Sequence, residues 1–327
     1  VGPKQVILPL LLYGWYVVNA GFTLTGNDLL LALFRAVEWF LFIYLLLAVF
    51  NRMLAAQPVD PGRRLISAGL PMIAFPVLLA ALLAVTLPQM AFQGGETSGF
   101  RLQTPFSHSN VLGILAAMLF FFLLEVKVKW RVHFLLLSFA VLVASYSRGA
   151  WIGFTLALLA WVVVRVPSGI ARYVAVIVAA LFIGAGWLGR DDVLDAASVV
   201  LSRNKANAED VKSASERTVV WKFAARLVRE SPWMGHGYVA GPKKLSDLMA
   251  MDTVGTYFRA RHAHNDFIQA QISGGVIATG LSVLLYLSAL VMVVRVIGDP
   301  ASRRLGRFLL ASMLLALTYG MLTPLLS

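Results

Sequence analysis

The chain of 327 residues is 59% apolar and 13% charged, carries a formal net charge of +12 and contains no cysteine. Because apolar runs of membrane-spanning length recur along it, the composition predicts one polytopic membrane domain and excludes a set of soluble domains. The lack of cysteine excludes disulfides, thiolate catalysis and cysteine-bound metals, and the many basic residues in short loops indicate membrane topology rather than nucleic-acid binding.

Nine apolar segments follow one another along the chain, and each predicts a membrane-spanning helix because lipid cannot satisfy an open backbone. They cover residues 6–24, 29–50, 65–87, 110–126, 132–147, 150–164, 173–188, 276–294 and 308–326. The first lacks a small-residue cleavage pattern, so we interpret it as a span rather than a removable signal. The predicted fold class is an all-α, polytopic membrane helical bundle forming a single domain over residues 1–327.

Basic residues cluster in alternate loops, and the positive-inside rule assigns those loops to the cytoplasm. The clusters are Arg52, Arg63 and Arg64; Lys127, Lys129 and Arg131; Arg165 and Arg172; and Arg295, Arg303, Arg304 and Arg307. The remaining loops at 88–109, 147–149 and 189–263 are then exterior. Since the chain stops after an apolar run without a polar tail, we expect that a terminal segment lies beyond it.

The exterior loop at 189–263 is the one long polar region of the chain. Between Arg190 and Arg261 it holds 12 basic and 9 acidic residues, a net charge of +3, which favours an anionic ligand. Apolar residues at helical spacing after Arg217 predict a basic amphipathic helix that lies on the membrane or on the helix bundle. Arg217 in its first turn opposes the helix dipole, so its position needs a reason other than helix stability.

The segment SPWMGHGYVAG, residues 231–241, ends this amphipathic helix with a proline and supplies three glycines. Glycines at this density predict a compact turn or a close approach of the backbone to a ligand.

A polar stretch, RHAHNDF at residues 261–267, runs into an apolar segment and places His264 at a membrane surface. Ionisable groups at such a boundary are costly to desolvate unless they line a wet cavity, which makes His264 the leading catalytic candidate. The alternative is that His262, His264, Asn265 and Asp266 only cap the next helix, since Asn and Asp accept the free N–H groups of a first turn.

Further ionisable residues lie within or between the apolar spans. Arg148 follows a polar break between two short helices, so its turn is expected below the outer membrane surface, where Arg148 either binds an anion or snorkels to the headgroups. Arg35 and Glu38 are three residues apart on one helix face and predict a structural ion pair rather than a substrate site.

The sequence favours neither metal nor nucleotide chemistry. Asp191, Asp192 and Asp195 form the one acidic cluster and are interpreted as partners of a helix dipole, and there is no exterior Asp-x-Asp pair, P-loop or dinucleotide fingerprint. We therefore expect no metal and no cofactor. An exterior histidine with two or more arginines suits an activated substrate that carries phosphate, together with a hydroxyl to be deprotonated.

Four motifs follow one another along the chain: RLQTPFSHSNVLGIL at 101–115, SYSRGAW at 145–151, ERTVVW at 216–221 followed by SPWMGHG at 231–237, and HNDFIQAQISGG at 264–275. In this order they resemble the superfamily of bacterial O-antigen ligases and O-antigen polymerases. Within the superfamily the ligases are the closest resemblance. One departure is Ala278, where a second glycine is expected three residues after Gly275.

The resemblance implies an inner-membrane glycosyltransferase, facing the periplasm, that transfers O-antigen polysaccharide from undecaprenyl diphosphate to lipid A-core oligosaccharide. Direct attack in one step would invert the anomeric centre. It also implies a few spans more than nine and a periplasmic loop, residues 189–263, that carries part of the active site. Functional roles are implied for Arg148, Arg217 and His264. Further substrate-binding candidates lie in or beside the same motifs: Asn265, Arg261, His108 and Asn110.

Two alternative functions stay open at this point. An O-antigen polymerase or a protein O-oligosaccharyltransferase would share the donor and use another acceptor. A transporter would use an intramembrane pair such as Arg35 and Glu38 as its pathway, and would be expected to show broken helices in two matching halves. The expected partners are the lipid-linked donor, the lipid A-core acceptor and membrane lipids, with no nucleic acid.

Overall fold

A computed structural model describes residues 7–23, 29–31, 33–34, 37–38, 61–93, 101–104, 108–126, 128–165, 169, 173, 217–252, 262–300 and 302–322. Over these ranges the chain is mostly α-helical, as the predicted fold class requires, and its single sheet is a two-stranded antiparallel ladder. Phe92 pairs with Leu102 and Gln93 with Arg101 in that ladder.

The elements follow one another in chain order. They are α1 (Ile7–Thr23), α2 (Pro61–Thr86), α3 (Pro88–Ala91), β1 (Phe92–Gln93), β2 (Arg101–Leu102), α4 (Ser109–Glu125), α5 (Arg131–Ala144), α6 (Arg148–Arg165), α7 (Arg217–Glu230), α8 (Ala240–Asp252), α9 (Asp266–Gly298) and α10 (Arg303–Leu322).

Helices occupy almost all the described residues of the predicted spans, although α5 ends at Ala144, three residues before the end of the predicted span at 132–147. The predicted span at 110–126 differs from α4 by one residue at each end, whereas α9 begins ten residues before the predicted span at 276–294. The predicted spans at 29–50 and 173–188 lie mostly outside the described residues, as do Arg35 and the acidic cluster at 191–195. The count of nine spans and the Arg35–Glu38 pair therefore stay predictions.

Several described helices are suited to lipid. Gly69–Thr86, within α2, and Asp266–Gly298 are long and apolar enough to cross a membrane. Large apolar side chains such as Val85 and Leu287 are exposed on them, an arrangement that is disfavoured in water and suits contact with lipid. Four described helices are apolar but shorter: Ile7–Phe22, Ser109–Glu125, Arg131–Ala144 and Gly149–Arg165.

The chain divides into two compact units. The first unit comprises Val1–Pro61, Glu216–Ala289 and Gly320–Ser327, and the second comprises Gly62–Ser215 and Leu290–Tyr319.

In the first unit, α7 and α8 pack against each other. Their buried apolar side chains form one cluster with Ile272 of α9, and α1 contributes Leu12 to a second cluster with Ala270 and Ala278. Ala278, where the resemblance anticipates glycine, is fully buried in that second cluster. The two clusters fix the beginning of α9, the helix that follows His264.

The second unit is built around α4, against which α5 and α6 pack. Buried residues lie on all sides of α4, including Leu112, Phe121 and Phe122. This burial is typical of a helix that is apolar all round, which lies in a protein core or a membrane. A Cβ added at Gly113 would lie 2.7 Å from the Ser145 Oγ atom. Gly113 thus lets α4 approach the turn between α5 and α6 closely.

A buried ion pair joins α4 to α10 in the second unit. Arg307 Nε donates to Glu125 Oε1 and Arg307 Nη2 donates to Glu125 Oε2, each over 2.7 Å. Trp161 Nε1 donates to the same Oε1 atom over 2.6 Å. The hydrogen bond to Glu125 raises the pKa of Arg307 above its ordinary value, against the lowering effect of burial. The sequence alone identified Arg307 as a topology marker and missed this pairing.

Candidate functional site

His264 lies in a turn with an unusual backbone conformation. Its φ angle is +52°, in the left-handed region that non-glycine residues rarely adopt, and its side chain is half-buried. Such a conformation costs of the order of 1–3 kcal/mol and persists where the surrounding contacts determine it. The turn that carries the leading catalytic candidate is therefore held by its neighbours.

The residue before His264 is held on both sides of its backbone. The Ala263 N–H donates to Gln269 Oε1 over 2.9 Å, and the Ala263 carbonyl accepts a hydrogen bond from Trp221 Nε1 over 2.7 Å. Ala263 is 0% exposed and Gln269 is 6% exposed. Buried backbone groups need hydrogen-bond partners, and here the side chains of Gln269 and Trp221 are those partners for Ala263.

Asn265 caps α9, as the capping alternative predicted. Its Oδ1 atom accepts hydrogen bonds from the N–H groups of Phe267 and Ile268 over 3.0 and 3.1 Å. Its Nδ2 atom donates to the Met321 carbonyl over 3.2 Å. The Asn265 side chain therefore holds both the start of α9 and the end of α10. Its role in substrate binding stays a prediction.

Asp266 is a buried acid directly behind this turn. It is 4% exposed, and its Oδ2 atom accepts a hydrogen bond from the Tyr286 hydroxyl over 3.2 Å. A Cβ added at Gly320 would collide with this carboxylate, so the glycine makes room for it. A cavity of about 20 Å³ adjoins the carboxylate, enough for roughly one water molecule. Tyrosines and short polar side chains dominate its lining: Tyr13, Tyr16, Tyr238, Gln269 and Ser273.

The helix α9 is broken at Gly275, where φ is +67° and ψ is −162°. A break of this kind leaves backbone groups without their helical partners. The loop at 231–239 and Trp15 satisfy them through short hydrogen bonds: His236 N–H to Ile272 O (2.7 Å), Gly237 N–H to Ser273 O (2.9 Å), Val276 N–H to Pro232 O (3.0 Å) and Trp15 Nε1 to Gly274 O (2.7 Å).

Glycines make this backbone-to-backbone contact possible. Gly235 has a φ angle of +67°, and a Cβ added there would lie 2.7 Å from the backbone nitrogens of Gly274 and Gly275. The sequence predicted a compact turn or a close approach to a ligand. The structure shows a turn whose close approach is to the broken helix of the protein itself.

His236 adds a side-chain contact to the same loop. Lys244 Nζ lies 3.1 Å from His236 Nδ1, and His236 Nε2 lies 2.9 Å from the Leu227 carbonyl oxygen. An ammonium group can only donate and a carbonyl can only accept, so these partners assign the proton of His236 to Nε2. His236 thereby connects the loop to the end of α7.

The predicted amphipathic helix is α7, and it begins at Arg217. Val220, Ala224 and Leu227 on its apolar side are buried in the cluster with α8. Of the two placements left open by the sequence, contact with the protein is the one observed for this apolar face. The structure describes the backbone of Arg217, which is the first residue of α7.

In the second unit, the turn before Arg148 joins α5 to α6. Ser147 Oγ accepts from the Ala150 N–H over 3.4 Å and caps α6, of which Arg148 is the first residue. Arg101 Nη2 donates to Asn110 Oδ1 over 2.7 Å and to the Tyr146 carbonyl over 3.4 Å. Arg101, which was not among the predicted site residues, thus ties the start of α4 to this turn.

The remaining predicted residues have more limited descriptions. His108 is the N-cap of α4, and its Nδ1 atom accepts from the Asn110 N–H over 3.3 Å. Arg261 lies outside the described residues. Among the residues that the structure describes, no group of three or more His, Asp or Glu side chains could hold a metal ion.

The sequence was compared with models of known protein families. The sequence model of one family, described as O-antigen ligase, matches residues 133–283. This match agrees with the resemblance of the sequence motifs to the O-antigen ligase superfamily. A search of curated proteins finds no match to it.

The O-antigen ligase match covers Arg148, Arg217, His264 and Asn265 and leaves out His108 and Asn110. The superfamily consists of membrane proteins, in agreement with the apolar helices described above. Sequence reasoning missed several residues that make specific contacts: Trp221 and Gln269 bind the backbone of Ala263, Arg101 binds Asn110 and the Tyr146 carbonyl, and Glu125 pairs with Arg307. Hydrophobic periodicity gives no signal for such contacts, so only the three-dimensional structure identifies them.

Proposed function

We propose that the protein is an O-antigen ligase that transfers O-antigen polysaccharide from undecaprenyl diphosphate to lipid A-core oligosaccharide. The observation that carries this proposal is the family match at 133–283, which contains the candidate residues Arg148, Arg217 and His264. The left-handed turn at His264 supports it, because strained backbone conformations cluster at functional sites.

In the proposed reaction, a hydroxyl of the acceptor sugar attacks the anomeric carbon of the donor. The bond between that carbon and the diphosphate oxygen breaks, the new glycosidic bond forms, and the hydroxyl proton passes to the neutral imidazole of His264. Undecaprenyl diphosphate leaves with the bonding electron pair. Displacement in one step inverts the anomeric centre.

The two arginines are proposed to stabilise the leaving diphosphate. Its negative charge grows as the bond breaks, so a guanidinium group at Arg217 or Arg148 lowers the barrier more than it tightens the ground state. A planar guanidinium can hold two phosphate oxygens at once, which an ammonium group cannot do. No metal ion takes part in this proposal.

The proposed location is the inner membrane, with the site facing the periplasm. This orientation rests on the basic clusters, such as Lys127, Lys129 and Arg131, which the positive-inside rule assigns to the cytoplasm. It puts the loop at 189–263 on the same side as the two lipid-linked substrates.

The test uses purified full-length protein, undecaprenyl diphosphate-linked O-antigen, and lipid A-core. His264→Ala should lower transfer by roughly 100-fold to 10,000-fold with donor binding retained, since a positioned base contributes about that much. Arg217→Lys should weaken donor binding and turnover together. His262→Ala, which removes an exposed histidine two residues away, is the matched control and should leave transfer unchanged.

Three results would redirect the proposal. Transfer that is unchanged by His264→Ala would remove the histidine base. Chain extension of the lipid-linked glycan without transfer to lipid A-core would favour an O-antigen polymerase. Glycan transfer to a protein hydroxyl would favour a protein O-oligosaccharyltransferase.

A further inference from the structure

We propose that Trp221 is a positioning residue that holds His264 in place by fixing the residue before it. The inference rests on the proposed function, because it concerns the base of that reaction. Its physical content is a single hydrogen bond, from Trp221 Nε1 to the carbonyl of Ala263, over 2.7 Å.

The bond acts where the backbone is least tolerant of movement. His264 has the left-handed conformation with φ at +52°. Trp221 binds the carbonyl of the Ala263–His264 peptide, and Gln269 binds the N–H of the peptide before it. Because Ala263 is fully buried, bulk water cannot take the place of the indole at this carbonyl. Loss of the indole N–H therefore removes the hydrogen bond that fixes the orientation of the Ala263–His264 peptide, and the imidazole should shift with that peptide.

The same bond couples two candidate catalytic positions. Trp221 stands four residues after Arg217 in α7, which is about 6 Å along the helix axis. Both Trp221 and Ala263 belong to the first unit. The indole thus ties the first turn of the helix that begins at Arg217 to the turn that carries His264, and it sets the distance between the two backbones.

The placement of Trp221 is consistent with this role. Trp221 is 36% exposed, so the residue does not serve mainly as core packing. The neighbouring Val220, Ala224 and Leu227 are fully or almost fully buried and supply the packing of α7. Trp221→Phe should therefore remove the hydrogen bond with little loss of packing.

The experiment compares Trp221→Phe with Trp15→Phe in the purified full-length protein. Trp15 is the matched control, because its Nε1 atom also donates to a backbone carbonyl of the same unit over 2.7 Å, that of Gly274. Trp221→Phe should lower kcat by roughly 10-fold to 100-fold, the effect expected when a reacting group is misplaced by about 1 Å. The KM for the acceptor should change little.

A combined variant separates positioning from loss of stability. In the His264→Ala background, Trp221→Phe should cause no further fall in the residual rate, because a residue that acts through His264 has nothing left to position. Trp15→Phe should lower the rate by the same factor with and without His264. An equal further loss from Trp221→Phe in both backgrounds would overturn the inference.

A second measurement needs no transferase activity. The rate at which diethyl pyrocarbonate modifies His264, followed by mass spectrometry, should rise in Trp221→Phe and stay unchanged in Trp15→Phe. Gln269→Leu, which removes the partner of the Ala263 N–H, should raise it in the same way and serves as a second variant if Trp221→Phe does not fold. An unchanged modification rate in the folded variants would overturn the inference about Trp221. An unchanged transfer rate in His264→Ala would instead overturn the proposed base.

Discussion

The buried Glu125–Arg307 pair should dominate the stability of the second unit. Both carboxylate oxygens of Glu125 accept from one guanidinium over 2.7 Å, and the two side chains are 1% and 10% exposed. Glu125→Gln keeps the shape of the side chain and leaves the guanidinium without a counter-charge. Removing one partner of a buried pair costs about 3–5 kcal/mol.

The expected result is a lower melting temperature in detergent. At about 3 kcal/mol, the low end of that range, and roughly 2–4 °C for each kcal/mol, Tm should fall by roughly 6–12 °C. The matched control is Glu230→Gln, since Glu230 pairs with Arg226 over 3.5 Å at side chains that are 47% and 67% exposed. An exposed pair contributes about 0–1 kcal/mol, so Tm should hardly change.

A double variant distinguishes a stranded charge from a lost contact. Glu125→Leu and Arg307→Met are combined in a Trp161→Phe background, so that no indole N–H is left without its Glu125 acceptor. Both charges are then removed, and replacement of a whole buried pair by apolar groups is often close to neutral. Tm should recover most of the loss seen with Glu125→Gln. Equal Tm values for Glu125→Gln and Glu230→Gln, or a double variant less stable than Glu125→Gln, would refute the reasoning.

Three further results are expected. Transfer by the purified enzyme should continue in excess chelator, and loss of activity that a divalent cation restores would contradict a metal-independent reaction. Tyr146→Cys and His262→Cys, at exposed positions, should react with an impermeant thiol reagent added from the periplasmic side. Trp130→Cys should not react. The opposite labelling pattern would reverse the proposed orientation. Gly275→Ala should destabilise the protein by at least about 1–3 kcal/mol in a thermal unfolding assay, because its φ is positive and a Cβ there would overlap the Trp233 carbonyl. Gly280→Ala is the control and should be close to neutral, since the space around its Cβ is open.

Helix positions could be predicted well where apolar runs end in charges or caps. The span at 110–126 matched α4 almost to the residue, because His108 caps one end and the apolar run stops beside Glu125 at the other. The start of α9 was missed by ten residues. Polar side chains in its first turns, such as Gln269 and Ser273, resemble a loop in sequence, yet they bond to each other over 3.2 Å inside the unit.

The candidate site could be predicted only in part. His264 was selected as a candidate because an ionisable group at an apolar boundary is unusual, and its catalytic role stays a prediction. The capping role of Asn265 followed from its position before a helix and is confirmed. Trp221 and Arg307 could not be found in this way, since their partners are 42 and 182 residues away in the sequence. Periodicity reports which face of a helix is buried, and it carries no information on which distant backbone group a side chain will hold.

The polar contacts of the first unit share a consequence for the proposed chemistry. Trp15, Trp221 and Gln269 each bind a backbone group, so they determine the path of the chain rather than the charge of the site. A base that must accept a proton in the transition state gains most from a position fixed in advance, because no reorganisation is then needed during the reaction. The turn at His264 is the strained one, and Trp221 and Gln269 hold the residue before it. Variants of Trp221 and Gln269 should therefore lower kcat before they lower substrate binding.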